Sequence, residues 1–141
     1  MKQLSVFLEN RQGRLGSVLE ILSNEGINIV SLSLADTTDF GMLRLIVSDY
    51  EKGKAVLKEN GFSAHLSDVV GIKLSHTVGS LQKALGILAD NNVNIEYMYA
   101  LCTGTDEAAI VIKPSNLEEA VTVLEKAGYS LFTDGDLLQY K

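Results

Sequence analysis

Two stretches hold the residues whose type and spacing could do chemistry. Asn10 to Ile29 reads NRQGRLGSVLEILSNEGINI, and His76 to Ile95 reads HTVGSLQKALGILADNNVNI. In each, a glycine (Gly13, Gly79) stands fifteen residues before an Asn-Ile pair (Asn28-Ile29, Asn94-Ile95). The residues after each glycine (Arg14-Leu15, Ser80-Leu81) open a run with helical spacing. The first N–H groups of a helix are unpaired and carry the positive end of its dipole, so they suit a carboxylate or another anion. A glycine there permits a tight turn and a close approach. An asparagine amide can both donate and accept. If it returned to the same neighbourhood, it would help to hold an ammonium, and the two groups together would describe an alpha-amino acid. Both residue types also serve ordinary turns.

Other chemistry has less support. GRLG is neither the phosphate-loop GxxxxGK[ST] nor GxGxxG, so no nucleotide site is expected. His65 and His76 are the two histidines and Cys102 the one cysteine, at no spacing that suits a metal. His65 reads as an ordinary strand residue. Cys102 has no recognisable basic neighbour to activate it. Asp36, Asp39 and Asp106 are loop carboxylates without paired geometry, and Tyr97 and Tyr99 read as packing residues. No catalytic group and no cofactor is expected.

The elements that must position these residues repeat as well. Leu4, Val6 and Leu8 alternate with polar residues as a half-buried strand does, and Val70, Ile72 and Leu74 repeat the pattern. Leu15, Val18, Leu19 and Leu22 form one face of a helix, matched by Leu81, Ala84, Leu85 and Leu88. Gly26 and Asn91-Asn92 stop these helices. Val30, Leu32 and Leu34 share one face of a second strand, opposite Ser31 and Ser33. Leu43, Leu45 and Val47 mark a third strand, with counterparts Ala108, Ile110 and Ile112. A second helix follows from Glu51 to Asn60, and its counterpart starts at Ser115 or Asn116. Both end in Gly-aromatic-Ser, at Gly61-Phe62-Ser63 and Gly128-Tyr129-Ser130. Fourth strands are expected at Ser63 to Asp68 and, less regularly, up to Leu137–Tyr140, with Gly71 as a bend between the copies.

The order strand-helix-strand-strand-helix-strand, twice, predicts an α+β protein of two ferredoxin-like βαββαβ units, residues 1–69 and 70–141. Each would be an antiparallel four-stranded sheet with two helices on one face. The opposite face carries Phe7, Met42, Ile46, Tyr97, Tyr99 and Val111 among Gln3, Ser5, Ser31, Ser33 and Arg44. So apolar a face is expected to be partly covered.

At this point the chain resembles a tandem member of the ACT-domain family, in which the loop reads Asp-x-Pro-Gly-x-Leu with Asn-Ile fifteen residues after the glycine. Here Asn10-Arg11-Gln12-Gly13-Arg14-Leu15 and His76-Thr77-Val78-Gly79-Ser80-Leu81 occupy that pattern. Asn10 and His76 replace the aspartate; Gln12 and Val78 replace the proline. The resemblance implies a regulatory sensor that binds an amino acid between domains, at the glycine loops and the Asn-Ile pairs. It implies signalling to an enzyme of amino-acid metabolism, with a homodimer as the assembly. The first loop is slightly favoured, because Arg11 and Arg14 could neutralise an acidic ligand. The other reading is a non-catalytic structural or regulatory subunit with degenerate ligand sites.

Bulk properties agree with this class. Eighteen acidic against twelve basic residues give a formal charge of -6, which disfavours nucleic acid and anionic membranes as partners. MKQLSVFLEN is too short and too alternating for a signal-peptide core, and no apolar run is long enough to span a bilayer, so a cytoplasmic location is expected.

Overall fold

The computed structural model describes residues 1–9, 11–36, 39–101 and 108–140. Asn10, Cys102 and Asp106 therefore lie outside the described residues. The elements run β1 (Lys2–Glu9), α1 (Arg14–Asn24), β2 (Ile29–Asp36), β3 (Phe40–Val47), α2 (Tyr50–Glu59) and β4 (Ser63–Asp68). The second series is β5 (Val70–Leu74), α3 (Ser80–Asp90), β6 (Ile95–Ala100), β7 (Ala108–Pro114) and α4 (Leu117–Lys126). A short helix α5 (Asp134–Leu137) and a 3-10 turn at Leu138–Tyr140 follow. The two ferredoxin-like units are present, with antiparallel sheets and flanking helices.

The first sheet has the strand order β2-β3-β1-β4, with β3 antiparallel to both β1 and β2. Its core is formed by Leu4, Val6 and Leu8 of β1, Val18 and Leu22 of α1, Leu43 and Leu45 of β3, and Leu57 of α2. These are the period-two and period-3.6 positions facing one another across a sheet and a helical layer. The motif residues Leu15 and Ile29 pack against that core from its margin. A bulge between Ile29 and Ser31 removes Val30 from the row expected for it. Ile29 pairs with Val47 and Leu32 with Leu45, so Ile29, and not Val30, shares the face of Leu32 and Leu34.

The second unit departs from the expected four strands. Among the described residues its sheet has three, in the order β5-β7-β6, and Leu131 meets β5 through an isolated bridge to Ile72. The strand expected at Leu137–Tyr140 is instead α5 and the 3-10 turn, which belong with the first unit. The chain groups as Met1 with Asp68–Thr133, and Lys2–Ser67 with the segment from Asp134 onward, in place of a single cut at 69/70. Leu137 is buried there at 2% exposure, and Tyr50 donates its hydroxyl to the Asp134 carboxylate at 3.1 Å. That bond, then the desolvation and the negative charge of Asp134, raises the Tyr50 pKa above the ordinary tyrosine value. Gly71 is no bend. It lies within β5, where an added Cβ would come 2.9 Å from both the Met1 methyl and the Phe132 Cβ.

The second core uses Ile72, Leu74, Ala84, Leu88, Ile112, Ala120 and Leu124. Leu81 and Ile95 sit at its margin, as Leu15 and Ile29 do in the first. On the sheet faces turned away from the helices, Gln3, Ile46 and Val111 are buried while Phe7 is half exposed.

Candidate functional site

Each glycine loop begins its helix in the same way. Gly13 (φ 85, ψ -12) and Gly79 (φ 84, ψ -1) are left-handed N-caps, which explains why the residue type repeats. Neither helix has a side-chain cap or an acidic residue in its first turn. The other two long helices differ on both points. Asp49 accepts from the Lys52 N–H at 3.2 Å and Asn116 from the Glu119 N–H at 3.0 Å, with Glu51, Glu118 and Glu119 in the first turns. Among the described residues the starts of α1 and α3 thus carry no acidic first turn and no side-chain cap from the N-cap residue.

The structure does not bring the two halves of the motif together within a unit. The eleven residues of α1 span about 16 Å, and Asn28 comes only after the helix has run its length. The following strand starts at that far end: Ile29 lies opposite Val47, whereas Glu9, next to the loop, lies opposite Phe40 at the other end of β3. Gly79 and Asn94 are separated in the same manner by α3. The expectation that the asparagine returns to its own loop is corrected by the length of the helix between them.

What the asparagines do locally is structural and duplicated. The Asn28 N–H donates to Ser48 Oγ at 2.9 Å while its carbonyl accepts from the Ser48 N–H at 2.9 Å. Asn94 makes the same pair with Ser115, at 3.0 and 2.8 Å. These clamps tie the start of the second strand of each unit to the end of the third. Beyond the clamp, Asn28 Nδ2 donates to the Tyr140 carbonyl at 2.9 Å.

The loop side chains also diverge. Arg11 pairs with Glu9 at 3.3 Å on an exposed surface. The Arg14 guanidinium lies 4.3 Å from the centroid of the Phe62 ring, and its Nε is buried without a hydrogen-bond partner among the described residues. Both arginines border a cavity of about 180 Å³ beside the first loop, together with Leu15, Leu34 and Gly41. Gln12 is exposed, as are His76 and Val78 at the second loop. Ser75 Oγ contacts both Thr77 Oγ1 at 2.9 Å and Ser80 Oγ at 3.4 Å. Val78, Gly79 and Ser80 border a larger cavity of about 770 Å³ that reaches Tyr129 and Ser130.

Phe62 and Tyr129 thus belong to the surroundings of the loops. The sequence signal was present in the duplicated Gly-aromatic-Ser, which reads only as a helix end until the fold places it beside the loop. Ser48 was missed because a lone serine after a strand carries no signature. His65 is an ordinary exposed strand residue whose Nε2 meets Ser63 Oγ at 3.1 Å. Among the described residues no group of three or more His, Cys, Asp or Glu could hold a metal. No described helix is long and apolar enough to cross a membrane.

A duplicated ferredoxin-like unit with a glycine loop at each first helix defines a class of small paired folds. A family model described as an ACT domain pair matches residues 1–140, and the chain belongs to that family. The crystal structure of protein BT0572 from Bacteroides thetaiotaomicron is 44% identical with a TM-score of 0.92, covering 98% of this chain and 95% of that one. The ligand-free regulatory subunit of aspartate kinase from Thermus thermophilus has the same fold at 16% identity and a TM-score of 0.64, covering 90% of this chain and 92% of that one. An acetolactate synthase small subunit from Buchnera aphidicola subsp. Baizongia pistaciae is 27% identical over 95 residues, 67% of this chain. The match spans 59% of that relative's length.

Proposed function

We propose that the chain is a non-catalytic regulatory module that binds an amino acid at its helix-start glycine loops and passes the bound state to an enzyme of amino-acid metabolism. The observation that carries this reading is the contrast between helix starts. α1 and α3 begin on bare left-handed glycines, while α2 and α4 carry their own polar caps and acidic first turns. A ligand carboxylate would supply what those two helix starts lack. A regulatory subunit of aspartate kinase, similar in fold, and an acetolactate synthase small subunit, similar in sequence, fit the same reading.

Because loop and asparagine sit at opposite ends of one unit, a complete site in this reading draws its second half from another copy of the chain. Two features favour a homodimer. β2 is an edge strand of its sheet, and it exposes Leu32 at 46% and Leu34 at 48%. An apolar edge of this kind is a ready partner for a second strand. The alternative, a subunit with degenerate sites that acts only by holding its partner, is favoured in the first unit by a specific observation. Its Arg14 and Asn28 are already engaged, with Phe62 and Tyr140.

Thermal-shift measurement with the twenty amino acids tests the reading. A ligand of the native state stabilises it by mass action, by about 2.7 kcal/mol at a hundredfold excess over Kd. A shift with one or a few amino acids is expected; no shift with any of them removes the sensor reading and leaves the holding subunit. Sedimentation velocity reads the dimer, and a monomer at all concentrations removes the shared site.

A further inference from the structure

Residues 134–140 close one corner of the first unit. Tyr50, the first residue of α2, donates to the Asp134 carboxylate at 3.1 Å. Leu137 is buried at 2% exposure, and the Tyr140 carbonyl accepts from Asn28 Nδ2 at 2.9 Å. Asn28 is itself clamped to Ser48, so the start of β2 and the turn from β3 into α2 meet there. The segment therefore crosses from the start of α2 to the residue that opens β2, the edge strand of its sheet.

Two observations set this contact apart from the rest of the unit. The first is that its anchor lies outside the duplicated frame. Ser48 and Ser115 correspond, as do the caps Asp49 and Asn116, but the next residue is Tyr50 in one unit and Leu117 in the other. Leucine carries no hydroxyl, so duplication of the frame does not account for the bond to Asp134. The second is how little holds the segment. Leu137 is buried, Asp136 and Tyr140 are half-buried, and Asp134, Gly135, Leu138 and Gln139 are exposed. A segment with so few buried apolar contacts opens locally far more readily than a core in which rows of leucine face one another.

What the segment occupies gives that opening a consequence. Asn28 stands at the end of the unit that the proposed homodimer offers to another copy, and its amide donates to Tyr140 instead. A strand of a second copy that pairs along β2 beside Leu32 and Leu34 reaches the same residue at the start of the edge. Covering an edge with a loop or a helix is a general means of limiting such pairing. We infer that segment 134–140 is a releasable strap, which competes with a second copy of the chain for the Asn28 end of β2 and so weakens association through the first unit. The inference rests on the homodimer of the proposed function and names what regulates it. A closed strap lowers the competent fraction of the chain, and the apparent dissociation constant rises by the inverse of that fraction.

Sedimentation velocity on the full chain over a range of concentrations tests it. Leu137→Ser removes the buried anchor and is expected to tighten self-association at least about tenfold. Tyr50→Phe removes one hydrogen bond and is expected to tighten it about twofold. Leu32→Lys, which puts a charge on the exposed edge, is expected to cancel the gain when combined with Leu137→Ser. Circular dichroism checks that each variant is folded. Unchanged or weaker association in folded Leu137→Ser overturns the inference while leaving the wild-type dimer, and with it the shared site, intact. A gain that survives Leu32→Lys also overturns it, because association then comes from the apolar surface that Leu137 leaves behind. If Leu137→Ser does not fold, Tyr50→Phe decides, and association unchanged in that variant overturns the strap. Chains that stay monomeric in every variant remove the shared site and the strap together, whereas the thermal-shift screen with amino acids reads the sensor independently.

Discussion

Gly13 and Gly79 hold nearly the same backbone angles, φ 85 and φ 84, yet Arg14 follows one and Ser80 the other. In the first unit the arginine lies over Phe62, Arg11 pairs with Glu9, and the tail reaches back to hold Asn28 and Tyr50. In the second unit a cavity of about 770 Å³ borders the loop, and Lys73 holds its ammonium over the Phe132 ring at 5.0 Å. Duplication preserved what the backbone needs: the left-handed glycine, the clamp between asparagine and serine, and the apolar rows. It did not preserve the side chains that decide whether the space beside the loop is filled. The same fold thus gives one loop bordered by a cavity of about 180 Å³ and one bordered by a cavity of about 770 Å³.

The comparison can be broken or sharpened by paired variants at equivalent positions. The largest effect is expected in the cores. Leu22 and Leu88 are both fully buried, and truncation of either to alanine should cost about 2–5 kcal/mol in urea denaturation. Similar losses would establish the two cores as equivalent, and a large inequality would show that one unit carries the stability of the other. Next are Gly13→Ala and Gly79→Ala. Both lack any neighbour within 4 Å of an added Cβ, so the cost is backbone strain alone, about 1–2 kcal/mol each by chemical denaturation. A loss at only one would mean that the loops are less alike than their angles indicate.

A smaller effect is expected for Arg14→Ser, which removes the stack over Phe62 and should cost about 0.5–1 kcal/mol. Urea denaturation reads that loss, and stability unchanged in the folded variant would contradict the stack. The smallest effect belongs to the tail. The bond to Asp134 favours protonated Tyr50 and raises its pKa in the folded state, so its contribution is fully present below the unfolded value of about 10 and fades as pH rises through the higher folded value. Tyr50→Phe should lower stability by no more than ~0.5 kcal/mol near neutrality, and the difference from wild type should shrink in strongly alkaline urea titrations. A difference that grows with pH would contradict the assigned bond.

Much of the fold was legible because alternation and helical spacing are local records of which face is buried. β4 was expected and found at Ser63–Asp68, and the cap at Asn116 starts α4 as its residue type predicts. The miss at the C-terminus has a local cause as well. After the bridge at Leu131 the chain offers no alternating row, and Asp134-Gly135-Asp136 opens a short helix whose Leu137 is buried with the first unit. Membership of a unit depends there on one side chain finding a distant core, which no window of sequence records. Of the candidate site, the glycines were legible because a left-handed cap strongly favours one residue type. Their distance from the asparagines was misjudged, although an eleven-residue helix between them implied opposite ends.

By itself the sequence determined the duplication, the element order and the two glycine-capped helix starts, because each follows from short-range sterics and from the period with which apolar residues recur. Only the tertiary structure decided that Arg14 lies over Phe62, that Tyr140 meets Asn28, and that Lys73 and Lys83 border one cavity. Those relations join residues 48, 112 and 10 positions apart through turns and helix lengths, and even the shortest depends on which way the loop between strand and helix bends.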